Sequence, residues 1–237
     1  MAPANNASAA PLLASILDTL GEEIVSGEMP EGHTFTLQDL STRFGISRTV
    51  AREAMRALEQ LGLVSSSRRV GIKVLPASRW AVFNRSVITW RLSTEAQRPS
   101  QITSLNQLRT AVEPIAAGLA ALNASEEETA RLTELAKTLI ELTEARVGNS
   151  DEFLAADVEF HTLLLTASGN EMFAALAAPI MNVLEGRTRY GIMPDEPELG
   201  AMRLHSDLAG AIARRDPEAA EATSRNLLRG INAFMEF

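Results

Sequence analysis

From Leu13 the apolar positions Ile16, Leu17, Leu20 and Ile24 recur at helical spacing, which predicts a helix over Leu12–Ser26 with Gly27 as its stop. Pro30–Thr34 has turn chemistry. Thr36 followed by Asp39 makes a capping pair for a short helix that runs to Phe44 and breaks at Gly45. Ser47 caps the next helix, Arg48 to Leu61, which Gly62 ends. Leu63–Ser66 and Gly71–Leu75 read as two short strands around Ser67–Val70. Helix, helix, tight turn, helix, hairpin is the order of a winged helix-turn-helix, expected over residues 11–76 behind a loose arm at 1–10.

Residues 77–100 read as a linker, but Trp80, Phe83, Val87, Ile88 and Trp90 make it too apolar to be flexible, so at least one helix is expected there, packed across the domain junction. Beyond it the pattern is helical throughout. Gln101–Leu122 forms one helix with Pro114 as an expected kink. Ser125 and Glu128 make a capping box for a helix to Val147. Asp151–Ala167, Asn170–Tyr190, Leu199–Arg214 and Pro217–Phe237 complete the set, the last opened by Asp216-Pro217. The expected fold class is mainly α: the winged domain followed by an all-α bundle of six to seven helices over 101–237.

Composition changes this picture in two places. Cysteine is absent, so disulfides, zinc fingers and thiol nucleophiles are excluded together. No apolar run reaches the roughly 18 residues of a membrane span, and Met1–Pro11 lacks the basic start of a signal peptide; a cytoplasmic location is expected. The net charge of -8 argues against a nucleic-acid partner for the chain as a whole. By region the sign reverses. Between Leu40 and Leu75 the basic residues are Arg43, Arg48, Arg52, Arg56, Arg68, Arg69 and Lys73, against only Glu53 and Glu59. A basic patch on an acidic chain still binds DNA, because phosphate contacts act over about 8–10 Å.

In the helix that Ser47 opens, Ala51, Ala54, Met55 and Leu58 form an apolar stripe, with Arg48, Thr49, Arg52 and Arg56 off it. The N-terminal end of a recognition helix enters the major groove, where arginine pairs with guanine O6 and N7. Arg68, Arg69 and Lys73 on the wing suit phosphates. A solvated basic face is the plainer reading of the helix alone; the helices before it and the basic hairpin after it favour DNA. The run Phe44-Gly45-Ile46-Ser47-Arg48-Thr49, Arg52-Glu53-Ala54, Leu58-Glu59, Gly62-Leu63-Val64 and Gly71-Ile72-Lys73-Val74 resembles the signature of GntR-family regulators. The resemblance implies that Arg48, Thr49 and Arg52 touch operator DNA and that Gly71 shapes the wing. Gln38 stands where many members place a DNA-contacting arginine, and Arg69 where a wing glycine is common; both departures bear on the operator sequence.

The second half resembles the FCD effector domain of the FadR-like branch, closest to its sugar-acid (galactonate-type) regulators. The resemblance is carried by Leu108-Arg109-Thr110-Ala111-Val112-Glu113-Pro114, Asp157-Val158-Glu159-Phe160-His161 with Ser168-Gly169-Asn170, and His205 leading to Asp216. Asp157 and His161 lie four apart on one helix face, a spacing that suits an ion pair or one divalent ion. The resemblance implies the ion (zinc, nickel or manganese), with His205 as third ligand; the usual fourth, a histidine, is here Leu227, with Asn226 beside it. It also implies an acid effector. Arg109, beside Leu108 and Val112, is the expected partner of its carboxylate, with Asn226, Arg187, Arg189 and Tyr190 as further pocket residues. Arg109 paired with Glu113, and Arg187 and Arg189 facing solvent, is the alternative.

These readings converge on a homodimeric regulator, expected to be a repressor, whose operator binding a small organic acid such as an aldonate relieves. Two other classes compete: a metal-dependent hydrolase using Asp157, His161 and His205, and a non-specific DNA-binding protein with a steep salt dependence. No general base beside the metal set speaks for the first.

Overall fold

The structure, a computed structural model, describes residues 6–67, 70–190 and 199–233, with side chains except at 6–10, 187 and 231–233. It divides into two compact units, residues 1–101 and 102–237.

The first unit opens with α1 (Asn6–Ser26), longer than the apolar pattern predicts because the alanine-rich stretch before Pro11 is itself a good helix former. Residues 1–5 of the expected arm lie outside the described residues. Next come α2 (Leu37–Phe44) and α3 (Arg48–Gln60). The predicted caps form. Thr36 Oγ1 accepts from Asp39 N at 3.2 Å while Asp39 Oδ2 accepts from Thr36 N at 2.7 Å. Ser47 Oγ accepts from Val50 N at 3.3 Å. Gly45, at φ 64°, takes the left-handed conformation that ends α2 and turns the chain into α3.

The sheet has one strand more than the pattern predicts. Thr34–Phe35, read as part of a turn, is β1; it pairs with β3 (Gly71–Val74), which also pairs with β2 (Val64–Ser67), in the order β1-β3-β2. Two residues are too few to show a period of two, and β1 exists because β3 offers it a free edge. Thr34 and Ser65 flank Lys73 on either side. Gly71 sits at φ +88°, and a Cβ there would stand 2.8 Å from the Phe35 carbonyl oxygen, so the wing requires glycine twice over.

The expected helix in the linker is α4 (Arg85–Ser93), which packs against α1. Trp90 Nε1 donates to Asp18 Oδ1 at 2.9 Å, and its ring covers Gly21 so closely that a Cβ there would fall 2.4 Å from it. Ile16, Leu20, Leu40, Ala54, Leu58, Ile72, Val87 and Trp90 share one core.

Among its described residues the second unit has helices joined by short turns and no strand. It carries most of α5 (Arg98–Asn123), then α6 (Glu126–Glu144), α7 (Asp151–Thr166), α8 (Glu171–Arg189), α9 (Leu199–Ala213) and α10 (Pro217–Ala233). Helix α6 packs on α7 and α9, α7 on α8, and α9 on α10. Alanines 117, 120 and 121 of α5 join Leu132, Leu139, Phe160, Leu164, Leu208 and Ile212 in its core. Small residues there let helices approach closely. Ser125 and Glu128 form their reciprocal cap, and Asp216 Oδ1 accepts from Ala219 N at 3.0 Å to open α10.

Candidate nucleic-acid interface and metal centre

Because Ala51, Ala54, Met55 and Leu58 are buried, α3 turns its other face outward, and Arg48, Thr49, Arg52 and Arg56 are all exposed. Arg48 and Arg52, one turn apart, line a groove with Thr36, the cap of α2, Gln38 of α2, and Ser66, Ser67 and Gly71 of the wing. Arg48 Nη2 donates to Gln38 Oε1 at 2.8 Å, and Gln38 Nε2 donates to Thr42 Oγ1 at 3.3 Å. The exposed Lys73 stands mid-strand on β3; Arg68 and Arg69, expected on the wing, lie outside the described residues. One member of the basic run is spent inside the fold. Arg43 pairs with Glu23 of α1 through both terminal nitrogens, and its hydrogen bond to Glu23 holds its pKa above the ordinary value. The groove-lining serines of β2 went unnoticed in the sequence, since nothing in their spacing marks them. Glu59 fixes that strand by accepting from both Ser66 N and Ser66 Oγ, at 3.0 and 3.1 Å.

The second cluster is buried. Asp157 and His161 project from α7 and His205 from α9, and one ligand atom of each converges. His161 Nε2 and His205 Nε2 are 3.4 Å apart, and Asp157 Oδ1 is 3.5 and 3.4 Å from them. Zinc bonds of about 2.0–2.1 Å in tetrahedral array set ligand atoms about 3.4 Å apart, so this donor set fits a divalent ion. Both rings are oriented from behind. His205 Nδ1 donates to the Ala201 carbonyl at 3.1 Å, and His161 Nδ1 faces Glu113 Oε2 at 2.8 Å, close for an ion pair though off the axis of a hydrogen bond. Once each ring is neutral with its proton on Nδ1, the Nε2 lone pairs are left for the centre. Phe160 meets both rings edge-on, at 5.5 and 5.0 Å between centroids.

Comparison with known proteins decides the family. Residues 104–230 match the FCD domain, and residues 12–74 match the bacterial regulatory proteins of the gntR family. The chain is a GntR-family regulator with an FCD domain. Its relatives include the galactonate operon transcriptional repressor of Escherichia coli, 28% identical over 90% of this chain and 92% of that one. The transcriptional repressor NanR of Cronobacter sakazakii is 26% identical over 91% and 82%. Among solved structures, the Listeria monocytogenes protein Lar, which controls expression of the agr system, shares the fold at a TM-score of 0.61 and 14% identity, covering 94% of this chain and 95% of its own. Both domain matches place this regulator among transcription factors, and the hydrolase reading is set aside.

In this FCD domain Arg109 is fully buried. Its Nε donates to Glu113 Oε1 at 2.6 Å, so Glu113 stands between the guanidinium and His161. Burial opposes the charge of Glu113, but Arg109 and then His161 outweigh it and hold its pKa at about 2. Burial likewise opposes ionisation of Asp157, and hydrogen bonds from the two histidines carry its pKa well below the ordinary range. For His161 burial is again the largest influence, lowering the pKa, yet the carboxylates of Glu113 and Asp157 raise it on balance. The sequence placed Arg109 beside either an effector or Glu113; the structure pairs it with Glu113 while both terminal nitrogens stay buried and without a hydrogen-bond partner. Asn182 Nδ2 on α8 and Ser224 Oγ on α10 are also buried and unpartnered, a feature that sequence patterning does not expose. Asn226 and Arg189 are exposed, and Arg189 lies over the half-buried Tyr190 ring at 5.9 Å. Leu227 is buried. The side chain of Arg187 lies outside the described residues, and the exposed His33 stacks on Phe35.

Proposed function

We propose that this regulator is a cytoplasmic repressor whose 11–76 region binds operator DNA and whose 101–237 region senses a small carboxylate, a sugar acid such as an aldonate, beside a divalent ion. The observation that carries the reading is the pairing of three converging ligand atoms with a buried guanidinium whose two terminal nitrogens have no partner. Buried donors without acceptors are costly, and a carboxylate accepts from both at once. Arg48, Thr49, Arg52 and Arg56 address the major groove, with Gln38 and Gly71 beside them, and Arg68, Arg69 and Lys73 address the backbone. Asp157, His161 and His205 hold zinc, nickel or manganese, which supplies a Lewis-acid anchor for the effector's oxygens. Arg109 orients the acid, and Asn226, Arg187, Arg189 and Tyr190 stand as outer candidates. An effector releases DNA only by binding the two states of the regulator unequally. The name of the galactonate operon repressor makes galactonate the first acid to try. The purified chain is expected to retard DNA from its own upstream region, and one member of a hexonate panel to reverse this. Retardation unchanged by every acid rules out the sugar-acid reading.

The metal is expected to bind more tightly as pH rises. His161, its pKa raised above 6.5, must give up a proton to become a ligand, so affinity falls about tenfold per pH unit below that value. Calorimetric titration of zinc at pH 6 and 8 reads this directly. His205→Ala, which removes one of three ligands, is expected to weaken binding about a hundredfold. Equal affinity in wild type and variant excludes the site.

The regulator acts as a homodimer, since a two-fold operator matches a two-fold protein and one recognition helix reads few base pairs. An apolar stripe on α5 suits the second copy: Leu108, Val112, Ile115, Leu119 and Leu122 share one face, with Ile115 48% and Leu122 60% exposed. Ile115→Glu with Leu122→Glu is expected to shift the sedimenting species to monomer; a variant that stays dimeric moves the interface elsewhere.

A further inference from the structure

A single acidic side chain joins α3 to the wing. Strand β2 is an edge of the sheet, because β3 lies between it and β1. Antiparallel partners alternate between bonded and unbonded pairs, so every second N–H of an edge strand points away from its neighbour. At Ser66, opposite Ile72, that outward N–H donates to Glu59 Oε1 at 3.0 Å, and Ser66 Oγ donates to the same oxygen at 3.1 Å. Glu59 stands in the last turn of α3, and its own carbonyl accepts from Gly62 N at 3.1 Å where the chain turns back toward β2. Ser66 in turn lines the groove with Arg48 and Arg52. Only two acids, Glu53 and Glu59, lie between Leu40 and Leu75. Charges repel over about 8–10 Å, so on electrostatic grounds alone the loss of an acid from this segment strengthens DNA binding.

We infer that Glu59 is a positioning residue for DNA binding: its oxygen pins β2 to α3, so that the wing meets the phosphate backbone while α3 lies in the major groove. This rests on the proposal that the wing, through Lys73, addresses the backbone. Glu59 touches no DNA and acts through Ser66. The part that matters is an acceptor oxygen with two lone pairs, and the charge opposes binding. Glutamine carries the same carbonyl oxygen and keeps both hydrogen bonds, whereas alanine keeps neither. The two substitutions remove the same charge and so separate position from electrostatics.

The test titrates full-length wild type, Glu59→Gln, Glu59→Ala and Lys73→Ala against a duplex selected from a randomised pool, by anisotropy at several salt concentrations. Glu59→Gln is expected to bind about two- to threefold more tightly than wild type, with the same salt slope. Glu59→Ala loses the same charge, yet is expected to bind about fivefold more weakly, its slope lower by about one as a wing contact is lost. Hydrogen exchange in β2 is expected to quicken in Glu59→Ala and not in Glu59→Gln. Glu59 is exposed, so both variants keep their fold. Glu59→Ala binding as tightly as wild type, or more tightly, overturns the inference, as does Glu59→Gln binding as weakly as Glu59→Ala. Lys73→Ala, expected to lower the slope by about one, checks the wing itself. An unchanged slope there overturns the backbone contact and this inference with it, whereas a lowered slope confines any failure to Glu59.

Discussion

Alanine at both Arg48 and Arg52 is expected to abolish selective operator binding while leaving the fold intact. Both side chains are exposed on the face of α3 opposite its buried Ala51, Ala54, Met55 and Leu58. Among the described residues Arg52 has no hydrogen-bond or salt-bridge partner, and Arg48 has only Gln38, so truncation leaves no buried group unpaired. In the groove each arginine is worth about 1–3 kcal/mol of base discrimination. Together the losses reach about a thousandfold in affinity for the best duplex, and the salt slope falls by about one to two units as charge is removed. Arg43→Ala is the control, because that guanidinium is bound to Glu23 inside the first unit; it is expected to cost some stability and little affinity. Anisotropy titrations at two salt concentrations, with circular dichroism to show the fold, distinguish these outcomes. Full promoter affinity in a folded Arg48→Ala, Arg52→Ala protein would falsify the recognition-helix assignment.

The parts of this molecule that are legible in its sequence are those set by local chemistry. Caps such as Thr36 with Asp39 and Ser125 with Glu128 are contacts across three residues, and they form as the residue types require. The i,i+4 pairing of Asp157 with His161 was visible for the same reason. What stayed hidden depends on partners distant in the chain. Strand β1 is two residues long and owes its existence to pairing with Lys73 and Ile72. The sequence offered Glu113 as an alternative partner for Arg109, but its second contact, with His161 from another helix, has no local signature. Arg43 looked like one more cation in a basic run until α1 brought Glu23 against it. The basic segment that charge counting marks falls within residues 12–74, which match the gntR family, and the count includes one cation, Arg43, that is paired with Glu23.

Glu113→Ala is expected to be the most destabilising single substitution in the second unit, at about 3–5 kcal/mol. It would leave the fully buried Arg109 without a counter-charge and His161 Nδ1 without its carboxylate. For a unit of this size the loss corresponds to a fall of roughly 10–15 °C in its transition. Both tryptophans lie in the first unit, so calorimetry is the suitable measurement. Removing the charge pair together, as Arg109→Met with Glu113→Leu, is expected to recover most of the stability, because the penalty lies in the orphaned charge and not in the lost attraction. That double variant is also expected to lose its response to acids. The pH dependence follows from the same pair. Glu113 has a folded pKa of about 2 against an ordinary 4.5, so its contribution is complete above 4.5 and drains away as pH falls toward 2. His161 runs the other way: its raised pKa contributes stability below 6.5 that is lost as pH climbs through the raised value. The metal-free second unit is therefore expected to be most stable in mildly acidic solution, and bound metal, which replaces the proton on His161, to shift that optimum upward. A Glu113→Ala protein within 1 kcal/mol of wild type would show that water reaches Arg109, and the argument for an acid seated on a dry guanidinium would fail with it.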